Sequence, residues 1–352
     1  MGEKAVSLLI LLLFSCPSFA YFERGIYSKA GVRAIGMGGA VTAVADDSSD
    51  AYWNPAGLAL VDSLDISYEW ASIANGTIKH SYPAIAVPIP FGWGPVIGGS
   101  VETRESDNSG ITVREESDCI SGAVPLTRGG LFYAGGNLRY LKFSSSMKGI
   151  GGNGFGGDVG FLLRLQHIPL ARELRFGAVF QDFDGKITDK TGVSQNLAKT
   201  IRLAMAGYPH ERLACTAEFE QTWNPSGPSW VIARNLRAGA AFLVWGNWLA
   251  LRAGAVRRME EIEKTDRTRY FLGTGVNYRG FAFDYAWASK TFLYDADTYM
   301  GVSFRLSGLM PEMRKETIKP EPTVPDEIRV IETVPIIPPA PENSPKIKPK
   351  KQ

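Results

Sequence analysis

The stretch "FAFDYAWA", Phe281 to Ala288, alternates aromatic side chains with small or charged ones. Every second position holds Phe, Tyr or Trp, and the positions between them hold three alanines and Asp284. A period of two sends successive side chains to opposite faces of an extended backbone. The stretch therefore predicts a β-strand with one apolar face and one slim or polar face.

The same alternation runs through residues 63–306, as in "LDISYEW" from Leu64 and "TYMGVSFRL" from Thr298. About fourteen such segments can be followed, and 113–125 is the least regular of them. Tight turns such as Pro209-His210 and Arg279-Gly280 alternate with longer connections, which we place at 106–112, 144–155, 184–198, 223–233 and 260–267. Short turns on one side and long loops on the other are typical of transmembrane barrels, in which the short side is periplasmic.

The fold class predicted is therefore all-β: a transmembrane antiparallel β-barrel of about 14 strands, closed by an N-terminal hatch or plug segment. A soluble β-sandwich or propeller would also alternate, but it would bury the aromatic face. Long strands with Tyr and Trp near their ends favour the barrel. Such residues are Trp70, Tyr270, Tyr278, Trp287 and Tyr299.

Residues 1–20 have the features of a secretory signal peptide. Lys4 precedes an apolar run, Ala5 to Phe14, and Ser18-Phe19-Ala20 offers small residues for cleavage after Ala20. A lipoprotein signal ending at Cys16 is the alternative. No later apolar run reaches the roughly 18 residues that a membrane helix needs, so we expect none in the mature chain.

Several function classes are disfavoured by composition. The net charge of +2 offers no electrostatic footprint for nucleic acid. Cys119, Cys215 and three scattered histidines form neither a disulfide framework nor a metal site, and no catalytic spacing stands out, so we expect no cofactor, no metal and no enzyme. Gly149 to Gly154 matches G-x-G-x-x-G, but strand-like sequence follows, and we assign it to a flexible outer loop.

Charged residues on the slim faces are candidate lumen-facing residues, because a charge facing lipid costs about 2–4 kcal/mol at mid-membrane. They either stabilise the wall or guide an anionic or amphipathic solute. These candidates are Arg139, Arg164, Arg175, Arg202, Arg237, Arg252, Glu218 and Asp284.

Residues 21–62 precede the first strand and contain "RAIGMGGAVTAVADDSSDAYWNPAGLA", Arg33 to Ala59. Its glycines permit close packing, its paired acids suit capping of a helical turn, and proline suits the first position of a short helix. We interpret it as a hatch in the periplasmic mouth. Its motif residues are Gly36, Gly38, Gly39, Asp46, Asp47, Asn54, Pro55, Ala56 and Gly57.

The stretch "GVRAIGMGGAVTAVADDSSDAYWNPAGLA", Gly31 to Ala59, resembles the N-terminal signature of FadL-like outer-membrane barrels, in particular the PorV/PorQ-type and UPF0164-type branch. The resemblance implies a fourteen-stranded barrel with a hatch. It also implies uptake of long-chain fatty acids or other hydrophobic compounds, by movement of the hatch or by sideways opening at a kinked strand. Pro83, Pro88 and Pro90 are candidates for that kink, since proline removes ladder hydrogen bonds. Because the branch includes secretion accessories, a PorV-like cargo-docking scaffold is the alternative function.

Residues 307–352 are rich in proline and charge and contain no aromatic residue, so we expect a disordered periplasmic tail. Its basic end contacts, on this hypothesis, an exported protein or a cell-wall polymer. The predicted location is the outer membrane of a diderm bacterium, with both termini periplasmic. The expected partners are outer-membrane lipid and a hydrophobic small-molecule ligand.

Overall fold

The structure, a computed structural model, describes residues 30–44, 46–90, 94–108, 110–169, 171–223, 233–245, 248–259, 268–290 and 296–306. The predicted signal peptide and the proline-rich tail lie outside these residues. No helix within the described ranges is long and apolar enough to cross a membrane.

Three short helical elements precede the strands: α1 (Val32–Gly36), α2 (Asp50–Trp53) and a 3₁₀ helix (Pro55–Leu60). The strands then follow in chain order. They are β1 (Leu64–Ile73), β2 (Ile78–Pro88), β3 (Val96–Asn108), β4 (Ile111–Pro125), β5 (Phe132–Ser145), β6 (Gly151–Ile168), β7 (Ala171–Gln181), β8 (Lys186–Asp189), β9 (Ser194–Asn196), β10 (Lys199–His210), β11 (Leu213–Trp223), β12 (Ala233–Val244), β13 (Leu249–Arg258), β14 (Thr268–Tyr278), β15 (Phe281–Ala288) and β16 (Asp297–Leu306).

Fourteen of these strands form one closed antiparallel ring. Each pairs with its neighbour in the chain, β7 pairs with β10, and β1 closes the ring by pairing with β16. The short strands β8 and β9 form a hairpin, and β8 pairs with residues 152–155 near the start of β6. The prediction of a barrel of about fourteen strands is confirmed.

The aromatic faces of the strands point outward. Phe281 and Phe283 are exposed, whereas Ala286 and Ala288 of the same strand are fully buried. Outward aromatic rings cluster near the strand ends, as at Trp248 and Tyr278, whose centroids lie 5.3 Å apart. Apolar residues outside and polar residues inside are the pattern of a barrel that faces lipid.

Three predicted connections are wrong in extent because the strands run further than their alternation suggested. The 106–112 loop shrinks to the tip between β3 and β4, and 184–198 contains the β8–β9 hairpin. The predicted flexible loop 144–155 instead contains the first residues of β6, which starts at Gly151. A Cβ at Gly152 or Gly154 would overlap the backbone of β8, so these glycines permit close strand approach.

The predicted turn Pro209-His210 is also wrong, since β10 extends through His210 and the turn follows it. Most of 223–233, and all of 260–267, lie outside the described residues.

Residues 30–44 and 46–62, here called the luminal segment, lie inside the ring. Met37, Trp53, Leu58 and Val61 are at most 2 % exposed. The segment contacts β13 to β16 through α1 and β3 to β6 through the 3₁₀ helix, so it touches opposite parts of the wall.

Candidate functional site

Glycines of the inner wall lie where the backbone of the luminal segment comes closest. A Cβ placed on Gly254 or Gly239 would overlap the backbone of Met37, and one on Gly177 would overlap Thr42. On the other side of the ring, Gly135 faces the backbone of Pro55 in the same way. The wall therefore holds the segment by backbone contact that any larger residue would obstruct.

The side chain of Asn54 links two parts of the luminal segment to each other and also bonds the segment to the wall. Its Nδ2 donates to the backbone oxygens of Thr42 at 2.8 Å and of Phe161 in β6 at 3.2 Å. Its Oδ1 accepts from Ala56 N at 3.1 Å and so caps the 3₁₀ helix, whose first residue is Pro55. This position requires a side chain that donates and accepts at once, which explains why asparagine precedes the proline.

The remaining hatch-motif residues have backbone roles. Gly38 and Gly39 have φ angles of 69° and 70°, which favour glycine. A Cβ on Gly36 would lie 3.0 Å from the Cα of Gly273. Gly57 N donates to Asn54 O at 2.9 Å, and Ala56 is fully buried.

The two acids of the motif have different roles. Both pair with Arg33, at 3.2 Å for Asp47 Oδ2, but Asp47 Oδ1 also accepts from Ser49 N at 2.9 Å as a local cap. Burial opposes ionisation of Asp46, but the charge of Arg33 outweighs it and lowers the pKa of that carboxyl to about 2. In the described structure the side chain of Asp46 is therefore an ion-pair partner of Arg33 and not the cap that was expected, whereas Asp47 is both.

Buried charges bind the luminal segment to β10, β11 and β12. Glu220 forms an ion pair with Arg202, whose Nε lies 2.8 Å away, and accepts a hydrogen bond from Arg237 Nη2 at 2.6 Å. Glu218 accepts from the backbone N of Thr42 at 3.1 Å, and Arg237 Nη1 donates to Gly38 O at 3.1 Å. Two carboxylates and two guanidiniums thus neutralise each other while fixing the segment.

The other predicted lumen-facing residues also lie on the inner face. Arg139 pairs with Asp182, Arg164 pairs with Glu173 at 2.7 Å, and Arg252 pairs with Asp284 at 2.6 Å. Arg175 Nη1 donates to Val44 O at 3.0 Å. The described wall places carboxylates beside these arginines, so the charges are largely matched.

A polar cavity of about 420 Å³ lies between the luminal segment and the wall at the end of the barrel where β1 starts. Its lining includes Arg33, Asp46, Asp65, Arg305 and Glu69. Glu69 Oε2 accepts from Gly31 N at 2.5 Å, so a carboxylate of the wall caps the first turn of α1.

The ladder between β2 and β3 is interrupted at Pro83. Paired residues run to Ser81 opposite Thr103 and resume at Ala84 opposite Ser100, in an unchanged register. Proline has no N–H to donate, so this part of the wall lacks a ladder bond. Of the other two prolines proposed for a kink, Pro88 is the last residue of β2 and Pro90 follows the strand.

An apolar groove of about 680 Å³ lies over this interruption on the outer face of the barrel. Its lining includes Pro83, Ile85, Val101, Ile120 and Phe155. Gly99, also in its lining, contributes no side chain and so deepens it. Sequence reasoning missed this groove, although a proline and a glycine on two neighbouring strands were its visible signal.

Comparison with family models finds no match, and comparison with curated proteins finds none. Among solved structures the chain is similar to the Ralstonia pickettii toluene transporter TbuX, with a TM-score of 0.57, 11 % identity, and coverage of 79 % of this chain and 98 % of that chain. The Pseudomonas putida toluene transporter TodX gives 0.57 and 11 %, over 78 % and 97 %. The monoaromatic hydrocarbon channel CymD gives 0.56 and 12 %, over 78 % and 96 %. These similarities show that the chain shares the fold of these transporters and this channel.

Proposed function

We propose that the chain is an outer-membrane channel for hydrophobic or amphipathic small molecules, such as long-chain fatty acids, and that they leave the lumen sideways between β2 and β3. The three similar structures carry titles naming toluene or monoaromatic hydrocarbon transport, which supports this class of solute. The channel passes its solute without changing it chemically.

The observation that carries the proposal is the interrupted ladder beneath an apolar groove. The luminal segment is fixed to opposite parts of the wall by glycine contacts and by buried charges, which makes its displacement costly. The wall at Pro83 is the weaker place, because it lacks a ladder bond and has an apolar surface outside. A solute that leaves there enters the bilayer without crossing the segment.

We also propose the location and orientation. The exposed apolar face supports a bilayer environment, and the closed antiparallel barrel supports the outer membrane. Leu64, where β1 starts, pairs with Leu306, where β16 ends, so both ends of the barrel sequence lie at one rim. Short turns are expected at the periplasmic rim, and this rim has the tight turn Arg279-Gly280.

The PorV/PorQ-type or UPF0164-type branch rests on the Asn54-Pro55-Ala56 signature and remains a proposal. The cargo-docking alternative, with an exported protein or cell-wall polymer as partner, would use the long loops or the tail. Because the tail lies outside the described residues, that alternative stays a prediction from the sequence.

Pro83 and Val101 lie opposite each other across the interruption, so a disulfide there tests sideways exit. In a background with Cys119→Ser and Cys215→Ser, we expect oxidised Pro83→Cys/Val101→Cys to abolish uptake of a labelled long-chain fatty acid by cells, and reduction to raise it to the rate of the Pro83→Cys single variant, which already carries the added N–H. The matched control is Thr274→Cys/Tyr285→Cys, a pair across the continuous β14–β15 ladder.

Uptake by the oxidised Pro83→Cys/Val101→Cys variant at the rate of the reduced variant would contradict sideways exit. Uptake by the parent chain no greater than that of cells without it would contradict the channel itself. Heat-modifiable gel migration checks that each variant is folded.

A further inference from the structure

We propose that the apolar groove on the outer face of the barrel is a binding site for one phosphatidylethanolamine molecule of the membrane. One acyl chain lies in the groove, and the zwitterionic head group lies against a group of charged side chains beside it. This inference goes beyond the proposed transport, because it concerns a lipid that stays bound to the wall.

The groove has the size and the lining of a ligand site. Its volume of about 680 Å³ lies within the roughly 300–1,000 Å³ of clefts that bind small molecules. Gly99 adds no side chain to the lining, and Ile120, Leu138 and Phe155 in the lining are each at least 70 % exposed. In a bilayer, an acyl chain supplies the van der Waals contacts for these side chains.

Charged side chains border the groove on the side away from the rim where β1 starts. Asp118 lines the groove, and Glu116 and Lys142 lie further along β4 and β5 in that direction. All three share the outward face of Ile120 and Leu138, because they lie an even number of residues away. Lys142 Nζ donates to Glu116 Oε1 and to Asp118 Oδ2, each at 2.9 Å. Charges facing lipid are costly at mid-membrane, so this ionic group marks the level of the head groups.

Tyr140 connects the groove to the ionic group. Its ring lines the groove, lies 5.0 Å from that of Phe155 between centroids, and has Lys142 Nζ 5.1 Å from its own centroid. Its hydroxyl accepts a hydrogen bond from Asn153 Nδ2 at 3.1 Å. A tyrosine with an apolar ring and a hydrogen-bonded hydroxyl is typical of the membrane interface. The acyl chain and the head group therefore lie on either side of Tyr140.

The charges favour a head group that carries both signs. Arg114 Nη2 lies 3.4 Å from Glu116 Oε2, so two carboxylates and two cations stand side by side without net charge. The side chains of Arg114 and Lys142 are 52 % and 45 % exposed, which leaves them accessible to a phosphate. An ethanolamine ammonium can donate to Asp118 while the phosphate accepts from Lys142. A glycerol head group brings no cation for the carboxylates, and choline has no N–H to donate.

The test is native mass spectrometry of the full chain, extracted in a mild detergent from bilayers with equal amounts of dioleoyl phosphatidylethanolamine, phosphatidylglycerol and phosphatidylcholine. We expect the parent chain to retain one lipid, and to retain phosphatidylethanolamine about threefold to fivefold more often than either other lipid, the equivalent of one interfacial ion pair. Glu116→Gln/Asp118→Asn should reverse the preference toward phosphatidylglycerol, because Arg114 and Lys142 remain.

Gly99→Leu tests the groove itself. A Cβ at Gly99 meets only ordinary contacts, at 3.6 Å and beyond, so the leucine is tolerated by the wall and fills part of the groove. We expect lipid retention to fall about fivefold, the equivalent of roughly half a dozen lost carbon contacts. The matched control is Gly122→Leu, because Gly122 is an exposed glycine of β4 that is not part of the groove lining. Its retention should equal that of the parent chain.

Equal retention by the parent chain and Gly99→Leu, or no lipid retained by the parent chain, would overturn the binding site. Equal retention of the three lipids by the parent chain, or an unchanged preference in Glu116→Gln/Asp118→Asn, would overturn the assignment of the head group. Heat-modifiable gel migration checks that each variant is folded. None of these measurements involves uptake, so their failure leaves the proposed channel in place.

Discussion

Single glycines of the wall determine how closely the luminal segment packs. Gly254 and Gly239 lie on neighbouring strands and both face Met37, so a methyl group at either position has no room. Gly122 is different, because a Cβ built on it meets nothing within 4 Å. The same residue type thus has a steric role at the inner wall and none at this outer position.

We expect Gly254→Ala to destabilise the folded barrel by about 1–3 kcal/mol, because overpacking forces the backbone at Met37 to shift. Gly122→Ala should change stability by less than about 0.5 kcal/mol. The measurement is the temperature at which the folded gel band of each variant is lost, with protease sensitivity of the luminal segment as a second readout. Similar loss in both variants would contradict the steric role.

Strands β10, β11 and β12 bind the luminal segment through one buried ionic cluster. Arg202, Glu218, Glu220 and Arg237 are at most 5 % exposed, and the guanidinium of Arg202 also lies 4.8 Å from the ring of Trp53. Removing one member leaves an unmatched buried charge, which costs more than removing a matched pair. The cluster therefore acts as one unit across three strands and the segment.

A double-mutant cycle tests this cooperation. Glu220→Met and Arg237→Met should each destabilise the barrel by about 3–5 kcal/mol, and the double variant should lose less than the sum of the two. The control is the exposed pair Arg172 and Glu211, 3.0 Å apart, for which we expect a coupling of about 0–1 kcal/mol. Additive losses at the buried pair, measured by chemical denaturation in bilayers, would show that the residues act separately.

At the scale of the whole molecule, the barrel separates an apolar exterior from a charged interior. The outward side of β14 presents Tyr270, Leu272 and Val276, each at least half exposed. In water, such a surface tolerates a new charge; in a bilayer, it does not. The cost of placing a charge at one outward position therefore distinguishes a bilayer environment from water.

Leu272→Arg should destabilise the protein in bilayers by about 2–4 kcal/mol, because Leu272 lies near the middle of β14. Thr268→Arg, four residues earlier on the same face at the end of the strand, should cost about 0–1 kcal/mol. Unfolding free energies in bilayers of one lipid composition provide the comparison. Equal values for the two variants would contradict a lipid-facing exterior.

The strand pattern could be predicted from the sequence because side-chain alternation is a local property. The alternation within Phe281 to Ala288 indicates by itself which face of the strand is apolar. The other strands of the ring show the same alternation. The β8–β9 hairpin could not be predicted in the same way, because its strands contain only four and three residues. It forms where Gly152 and Gly154 of β6 permit close approach, and this is a property of two distant parts of the chain.

The candidate site shows the same limit. The inward orientation of the Arg202 side chain follows from alternation. Its pairing with Glu220 depends on the register of β10 against β11. His80 was counted only among the scattered histidines, because its buried partner Glu102 lies on the neighbouring strand β3 and depends on the register of β2 against β3.

The fit between inner-wall glycines and the backbone of the luminal segment has an evolutionary consequence. The backbone of a luminal segment transplanted from another barrel would approach the wall at positions that are not glycine. A wall from another barrel would likewise present side chains where the backbone of Met37, Thr42 and Pro55 needs space. The two parts therefore have to be inherited together. We expect recombination between relatives to preserve the pair, and chimaeras that exchange only one partner to fail at the stage of membrane insertion.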